Sequence, residues 1–230
     1  MSTQNNTLIE GLESLLHARF SCRAFRPDPV PTATIERVLA AAQRTPSWCN
    51  SQPWQVIVTT DDGTERLRTA LVETVRSGAA GASDFPFPRE YTGVYDTRRK
   101  ESGFALYNSL GIAKGDKAAY AKQMLENFRF FGAPHVAIIT TDEALGVYGA
   151  VDCGGYVNNF MLAAKALGLD AIAQAALAMR AQTIRDHFGL GPDRKIVCGI
   201  SFGFADSDHK ANSFRTSRAT ITDAAHIAAE

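Results

Sequence analysis

The chain has 230 residues, 45% of them apolar and 21% charged, with 24 basic and 24 acidic side chains. That length and balance describe an ordinary folded globule with its own core and exclude a disordered or collagen-like chain. The balanced charge gives no basic excess for polyphosphate, and no apolar run approaches the roughly 20 residues that span a bilayer, so neither nucleic acid nor membrane is an expected partner.

Helix signals come first along the chain. Thr7 with Glu10 reads as a capping box, followed by Leu8, Leu12, Leu15 and Leu16 on one face. A second helix is expected after Pro31, with Ile35, Val38, Leu39 and Ala42 as its stripe, ending before Pro46. Trp54 to Thr60 is a β-branched run closed by an expected turn at Asp61-Asp62-Gly63. Thr64 to Arg76 is again helical in spacing. Ser77 to Gly93 is rich in Gly, Ala and Pro and reads as a loop or lid. Helical spacing resumes over Glu101–Leu110 and from Asp116 to Phe131.

His135 to Thr141 reads as a strand, and Tyr148 to Leu167 as a long helix, apolar over most of its surface and therefore expected to be buried at the centre. Strands are expected at Asp170–Ala175 and Lys195–Phe204, with a helix at Gln182–Phe188 between them. The stretch from Ala205 is polar and lacks a core of its own. Long, irregular helical excursions between the strands favour an α+β fold over a doubly wound one, in a single domain over 1–230.

Several chemistries find no support. No G-x-G-x-x-G follows a strand, and Gly111 to Lys117 lacks the spacing of a phosphate loop and reads as a helix–helix connection. The five histidines form no H-x-x-x-H pair, and the four cysteines (Cys22, Cys49, Cys153, Cys198) form no C-x-x-C, so no metal site is expected and the cysteines read as small buried hydrophobes. Gly199-Ile-Ser201-Phe-Gly203 matches the letters of a serine-nucleophile elbow but lies inside an expected strand. The polar Met1 to Thr7 has no secretory-signal pattern, which makes the cytoplasm the expected address.

Three clusters remain. In Arg19-Phe20-Ser21-Cys22-Arg23, an extended backbone would put Arg19, Ser21 and Arg23 on one face, a grip suited to phosphate. A solvated basic loop has the same letters. In Pro46-Ser47-Trp48-Cys49-Asn50-Ser51-Gln52-Pro53-Trp54, two prolines frame hydrogen-bonding side chains that could meet the edge of a flat ligand, or merely satisfy their own loop. Asn212 to Arg218 adds Arg215 and Arg218, which complete an anion site only if the tail folds back.

Together, R-x-S-x-R-x-F after one helix and P-S-x-x-N-S-Q-P-W after the next resemble the nitroreductase family of flavin mononucleotide (FMN) oxidoreductases. The likeness continues through Phe130 to His135, the helix from Asp152, Gly168-Leu169 leading to Gln174-Ala175-Ala176, and the basic tail, with 77–120 reading as a subfamily insertion. It implies a central, mostly antiparallel sheet surrounded by helices, in an intertwined homodimer. It also implies that Arg19, Phe20 and Ser21 lie at the phosphate and ribityl end of FMN, with Arg215 and Arg218 closing on the phosphate. Arg23 would reach N1 and the C2 carbonyl, at a position where family members often carry lysine.

Pro46, Ser47, Trp48 and Asn50 would come from the other subunit. Gln174, Ala175 and Ala176 would lie at N5, with the backbone rather than a catalytic side chain as donor, and Asn127 or Arg129 at the ribityl chain or pyrimidine edge. The activity implied is ping-pong hydride transfer from NAD(P)H to a small aromatic acceptor, a nitroaromatic reduced through nitroso to hydroxylamine, or a quinone. Phe85, Phe87, Tyr91, Tyr95, Phe104 and Tyr107 would supply its lid. A same-fold dehalogenating or flavin-fragmenting enzyme and a non-catalytic flavin-binding protein are the alternatives.

Overall fold

Residues 3–228 are described by a computed structural model. In chain order they form α1 (Thr3–Ala18), α2 (Thr32–Ala42), β1 (Gln55–Thr59), α3 (Asp61–Arg76), α4 (Gly93–Ser109), α5 (Lys117–Leu125), β2 (His135–Asp142), α6 (Gly146–Ala166), β3 (Asp170–Gln174), α7 (Ala175–Ala178), α8 (Ala181–Phe188), β4 (Arg194–Gly203) and α9 (Ile221–Ala224). The strands make one sheet, β1-β2-β4-β3, in which every neighbouring pair is antiparallel. The expected α+β architecture is therefore the one observed.

β2 explains why helices cover both faces. Its residues from His135 to Thr141 are all buried, so it reads as an unbroken apolar run rather than an alternation. Successive side chains still point to opposite sides. Val136 and Ile138 pack with Leu67 and Leu71 of α3 and Ile184 of α8. Ala137 and Ile139 pack with Ile35 and Val38 of α2 and Tyr156 and Phe160 of α6.

Several expectations change. The Thr7–Glu10 capping box falls inside α1, which already begins at Thr3. The Asp61–Gly63 turn is real at Asp61, whose φ is +47°, but α3 starts there because two acidic residues suit the positive end of a helix. The helix expected to run to Phe131 ends at Leu125. Phe130 and Phe131 take positive φ (59° and 53°) in a tight buried turn, so their aromatic spacing is that of core rather than helix.

α4 begins at Gly93 rather than Glu101; it buries no residue, and a helix without a buried face leaves little apolar periodicity to read. Lastly, α6 is not buried all round. Cys153, Tyr156 and Phe160 face the core, but Val147, Tyr148 and Val151 are 61–73% exposed. Leu8, Leu12 and Leu16 of α1 are exposed too. Cys22 and Cys153 are buried as expected, and Cys49 is exposed.

Candidate functional site

Beyond Ala18 the chain runs extended along the outer edge of β3. Ser21 bridges Ala171, and the Cys22 N–H donates to the Ala171 carbonyl at 3.3 Å. Extended backbone alternates its side chains, and Cys22 and Ala24 take the buried side. Arg19, Ser21 and Arg23, with Phe20, line a cleft of about 780 Å³ on the other. Arg215 and Arg218 line the same cleft from the tail.

A buried asparagine brings the tail back. Asn212 accepts from the Arg23 N–H at 2.7 Å and donates to the Ala24 and Asp206 carbonyls at 2.9 and 2.8 Å. Asp206 N–H to Ala24 and Arg26 N–H to Phe204 continue the pairing. Two cation–π contacts then clasp the segments reciprocally: Arg215 lies 3.9 Å above the Phe20 ring, and Arg23 lies 5.6 Å from the centre of Phe214.

The electrostatics of this cleft are lopsided. Among the described residues, none of Arg19, Arg23, Arg215 and Arg218 forms an ion pair. Burial first, and the Arg218 charge second, hold the Arg19 guanidinium below its usual range. Burial does the same to Arg23. Guanidinium groups stay protonated in proteins, so the cleft carries positive charge, and no carboxylate stands among its described lining residues. A phosphate dianion supplies that charge in a geometry that guanidinium forks match.

Arg23 also lines a neighbouring cleft of about 240 Å³, with Tyr107, Met124, Asn127 and the β3–α7 junction at Gln174, Ala175 and Ala176. The Gln174 side chain serves the scaffold here. Its amide donates to the Asn127 carbonyl at 2.8 Å, and its oxygen accepts from Ser201 Oγ. Ser201 is thus a buried strand residue. Arg129 pairs with Glu126 at 2.8 Å, away from both clefts. Of the lid aromatics, Tyr107 reaches this cleft and stacks on Tyr120 at 4.4 Å, whereas Tyr91 carries Arg99 on its ring.

The second cluster is not brought here within one chain. Pro46 and Asn50 line a separate cleft with Arg44 and Gln52. Positive φ at Cys49, Asn50 and Gln52 shapes their loop, which is tied by Gln52 N–H to Ser47 Oγ (2.9 Å) and Trp48 N–H to Asp152 (3.0 Å). Trp48, 69% exposed, lies 5.8 Å from Tyr148.

The arginine cleft also contains His17, Ser102 of α4, Asn158 of α6, Phe214 and Thr216, none of which was expected from sequence. Asn158, a polar residue on an apolar helix, was the available signal.

Residues 16–204 match the model of the Nitroreductase family. The chain is 38% identical to nitroreductase NfnB of Mycolicibacterium smegmatis over 94% of its own length and 92% of the relative's. It is 32% identical to nitrobenzene nitroreductase of Ectopseudomonas oleovorans, over 92% and 94%. Among solved structures, FMN-dependent nitroreductase NfnB from Mycobacterium smegmatis in complex with NADPH superposes with a TM-score of 0.92 at 36% identity, covering 96% of this chain and all of that one. Fold, sequence motifs and relatives agree: this chain belongs to the nitroreductase family.

Proposed function

We propose that the protein is an FMN-dependent oxidoreductase that uses NAD(P)H to reduce nitroaromatic compounds to hydroxylamines, with quinones as further acceptors, and that it works as a homodimer in the cytoplasm. The observation that carries the reading is the arginine cleft: four guanidinium groups from two distant stretches of chain, none of them ion-paired among the described residues. Arg19, Ser21, Arg215 and Arg218 would hold the FMN phosphate and ribityl end. Phe20 braces Arg215 from below. Arg23, shared by the two clefts, would put a fixed charge at the ring edge, and Ala175 and Ala176, which line the second cleft with it, would offer their backbone there. When bound, FMN supplies the two-electron carrier between donor and acceptor.

The relatives support the substrate class, since the names of NfnB and of the nitrobenzene enzyme specify nitroreduction. Two features support the homodimer. Ser47, Trp48 and Asn50 stand on an exposed loop apart from the arginine cleft, so that they reach an FMN only in a second copy. Val147, Tyr148 and Val151 beside them leave an apolar face that this chain does not cover. Cys22, Cys153 and Cys198, buried or half-buried and free, together with the exposed free thiol of Cys49, suit a reducing compartment.

The test is acceptor-dependent turnover. Purified protein supplied with FMN should turn yellow and oxidise NAD(P)H only when a nitrobenzene-type acceptor is added. Retained flavin without turnover over a broad acceptor panel would leave a flavin-binding protein, and a preparation that takes up no FMN defeats the proposal.

A further inference from the structure

Gly199 and Ser201 lie two positions apart on β4 and so share a face of the sheet with Ile172 and Gln174 of β3. Gln174 stands directly opposite Gly199, which offers it no side chain, and Ser201 is its diagonal neighbour. A long side chain reaches that far across a strand pair. The Gln174 amide accordingly meets the Ser201 hydroxyl. Both residues are buried, on the face that carries Val136 and Ile172, where a polar group is tolerated only if its hydrogen bonds are made.

Main-chain carbonyls fix the polarity of the chain of hydrogen bonds that follows. Gln174 Nε2 lies 2.8 Å from the Asn127 carbonyl, which only accepts, so the nitrogen end of the amide must face it. The oxygen end then faces Ser201, whose hydroxyl donates. Gln174 Nε2 also lies 3.4 Å from Asn127 Oδ1, and Asn127 Nδ2 donates to the Met124 carbonyl at 3.2 Å. Asn127 therefore turns its oxygen to Gln174 and its nitrogen away. Among the described residues, the further acceptor within reach of that nitrogen is the Met124 sulfur at 3.9 Å, a weak one. Asn127, Met124 and Gln174 line the same cleft as Arg23, Ala175 and Ala176, the one assigned above to the ring end of FMN.

We propose that Ser201 and Gln174 are positioning residues for the flavin: they lock the Asn127 amide so that it presents N–H, and not C=O, to a carbonyl oxygen on the pyrimidine edge of the ring. The inference rests on the function proposed above. Reduction places negative charge on that edge, so a donor held there stabilises reduced FMN more than oxidised FMN. Without the Ser201 hydroxyl the Gln174 oxygen loses its donor, the Gln174 amide is free to turn over, and Asn127 turns with it. Its oxygen would then meet a carbonyl and repel the charge that reduction brings. The serine of the G-x-S-x-G string thus acts on the cofactor from inside the sheet, through two amides, and not as a nucleophile.

The experiment is a fluorescence titration of flavin-free protein with oxidised FMN, alongside the two-electron midpoint potential of the bound flavin; together they give the affinity for the reduced form. Ser201→Ala should weaken reduced FMN about tenfold more than oxidised FMN, the loss of one charge-assisted contact, and so lower the potential by about 30 mV. Asn127→Ala should lower it similarly, and adding Ser201→Ala to Asn127→Ala should lower it no further, because the serine acts through that amide. Gln174→Met, which keeps the length and removes the amide, should reproduce the drop and carries the test if Ser201→Ala does not fold. An unchanged potential, equal weakening of both oxidation states, or a further drop in the double variant would each overturn the assignment while leaving the enzyme a flavoprotein. Wild-type protein that takes up no FMN would defeat the function proposed above, and this inference with it.

Discussion

His135 Nε2 accepts a hydrogen bond from the Val30 N–H at 2.9 Å, which places the ring proton on Nδ1, 3.2 Å from the Thr59 carbonyl. Protonating this buried ring would cost it the Val30 bond, and burial holds its pKa below the free value of 6.5. The unfolded chain therefore binds the proton more readily than the folded one. Folding stability should fall as pH drops below about 6.5 and level off beneath the lowered native value. Urea midpoints across that range should slope in the wild type and flatten in His135→Gln; parallel curves would refute the role.

Legibility varies residue by residue for physical reasons. Arg19, Ser21 and Arg23 could be placed together in advance because alternation along extended backbone is a local rule. Ser102 and Asn158 could not, because only the packing of α4 and α6 brings them to the cleft. Asn212, which ties the tail down, looked like one more polar residue in a polar stretch.

Among the elements, the loop after α3 shows how a segment without a core of its own is fixed. Asp84 is nearly buried; it pairs with Arg185 of α8 at 2.6 Å and accepts from the Ile196 N–H of β4 at 2.7 Å. Nearby, Ala82 bridges Arg180, whose guanidinium donates to the Ala79 carbonyl at 2.6 Å. A Cβ on Gly81 would stand 3.0 Å from the Met179 carbonyl, so the close approach needs glycine. Asp84→Ala strands both a guanidinium and a backbone donor. It should destabilise the protein by about 3 kcal/mol, the usual cost of breaking a buried pair from one side. Thermal or chemical unfolding reads this directly, and an unchanged midpoint would mean that water replaces the carboxylate. The loop's composition announced its irregularity, but its partners lie 101 and 112 residues away in sequence, beyond any local pattern. Strand β2 was legible because burial on two faces imposes a β-branched apolar run of strand length. The early end of α5 was not, since Phe130 and Phe131 satisfy helical spacing while sitting in a turn.

For the whole molecule, the uncovered apolar surface matters most. Val147, Tyr148 and Val151 on α6 and Trp48 beside them are too many large side chains in one place for an isolated chain. The mass in light scattering should be about twice the 24.9 kDa of one chain. Val151→Asp should lower that mass and, by separating the Trp48 loop from the cleft it would complete, reduce bound FMN. A fully active monomer would contradict the shared site. The sequence made α6 look central because it is apolar over most of its surface; one flank meets the chain's own sheet, and the exposed flank is where the proposed second copy would pack.

The Asn212 clip also has a consequence for biosynthesis. Arg23 and the asparagine that ties the tail to it are 189 positions apart, and all four strands leave the ribosome before Arg215 and Arg218. The full set of four arginines would therefore exist only once the last stretch of the chain has been made and the tail tied back.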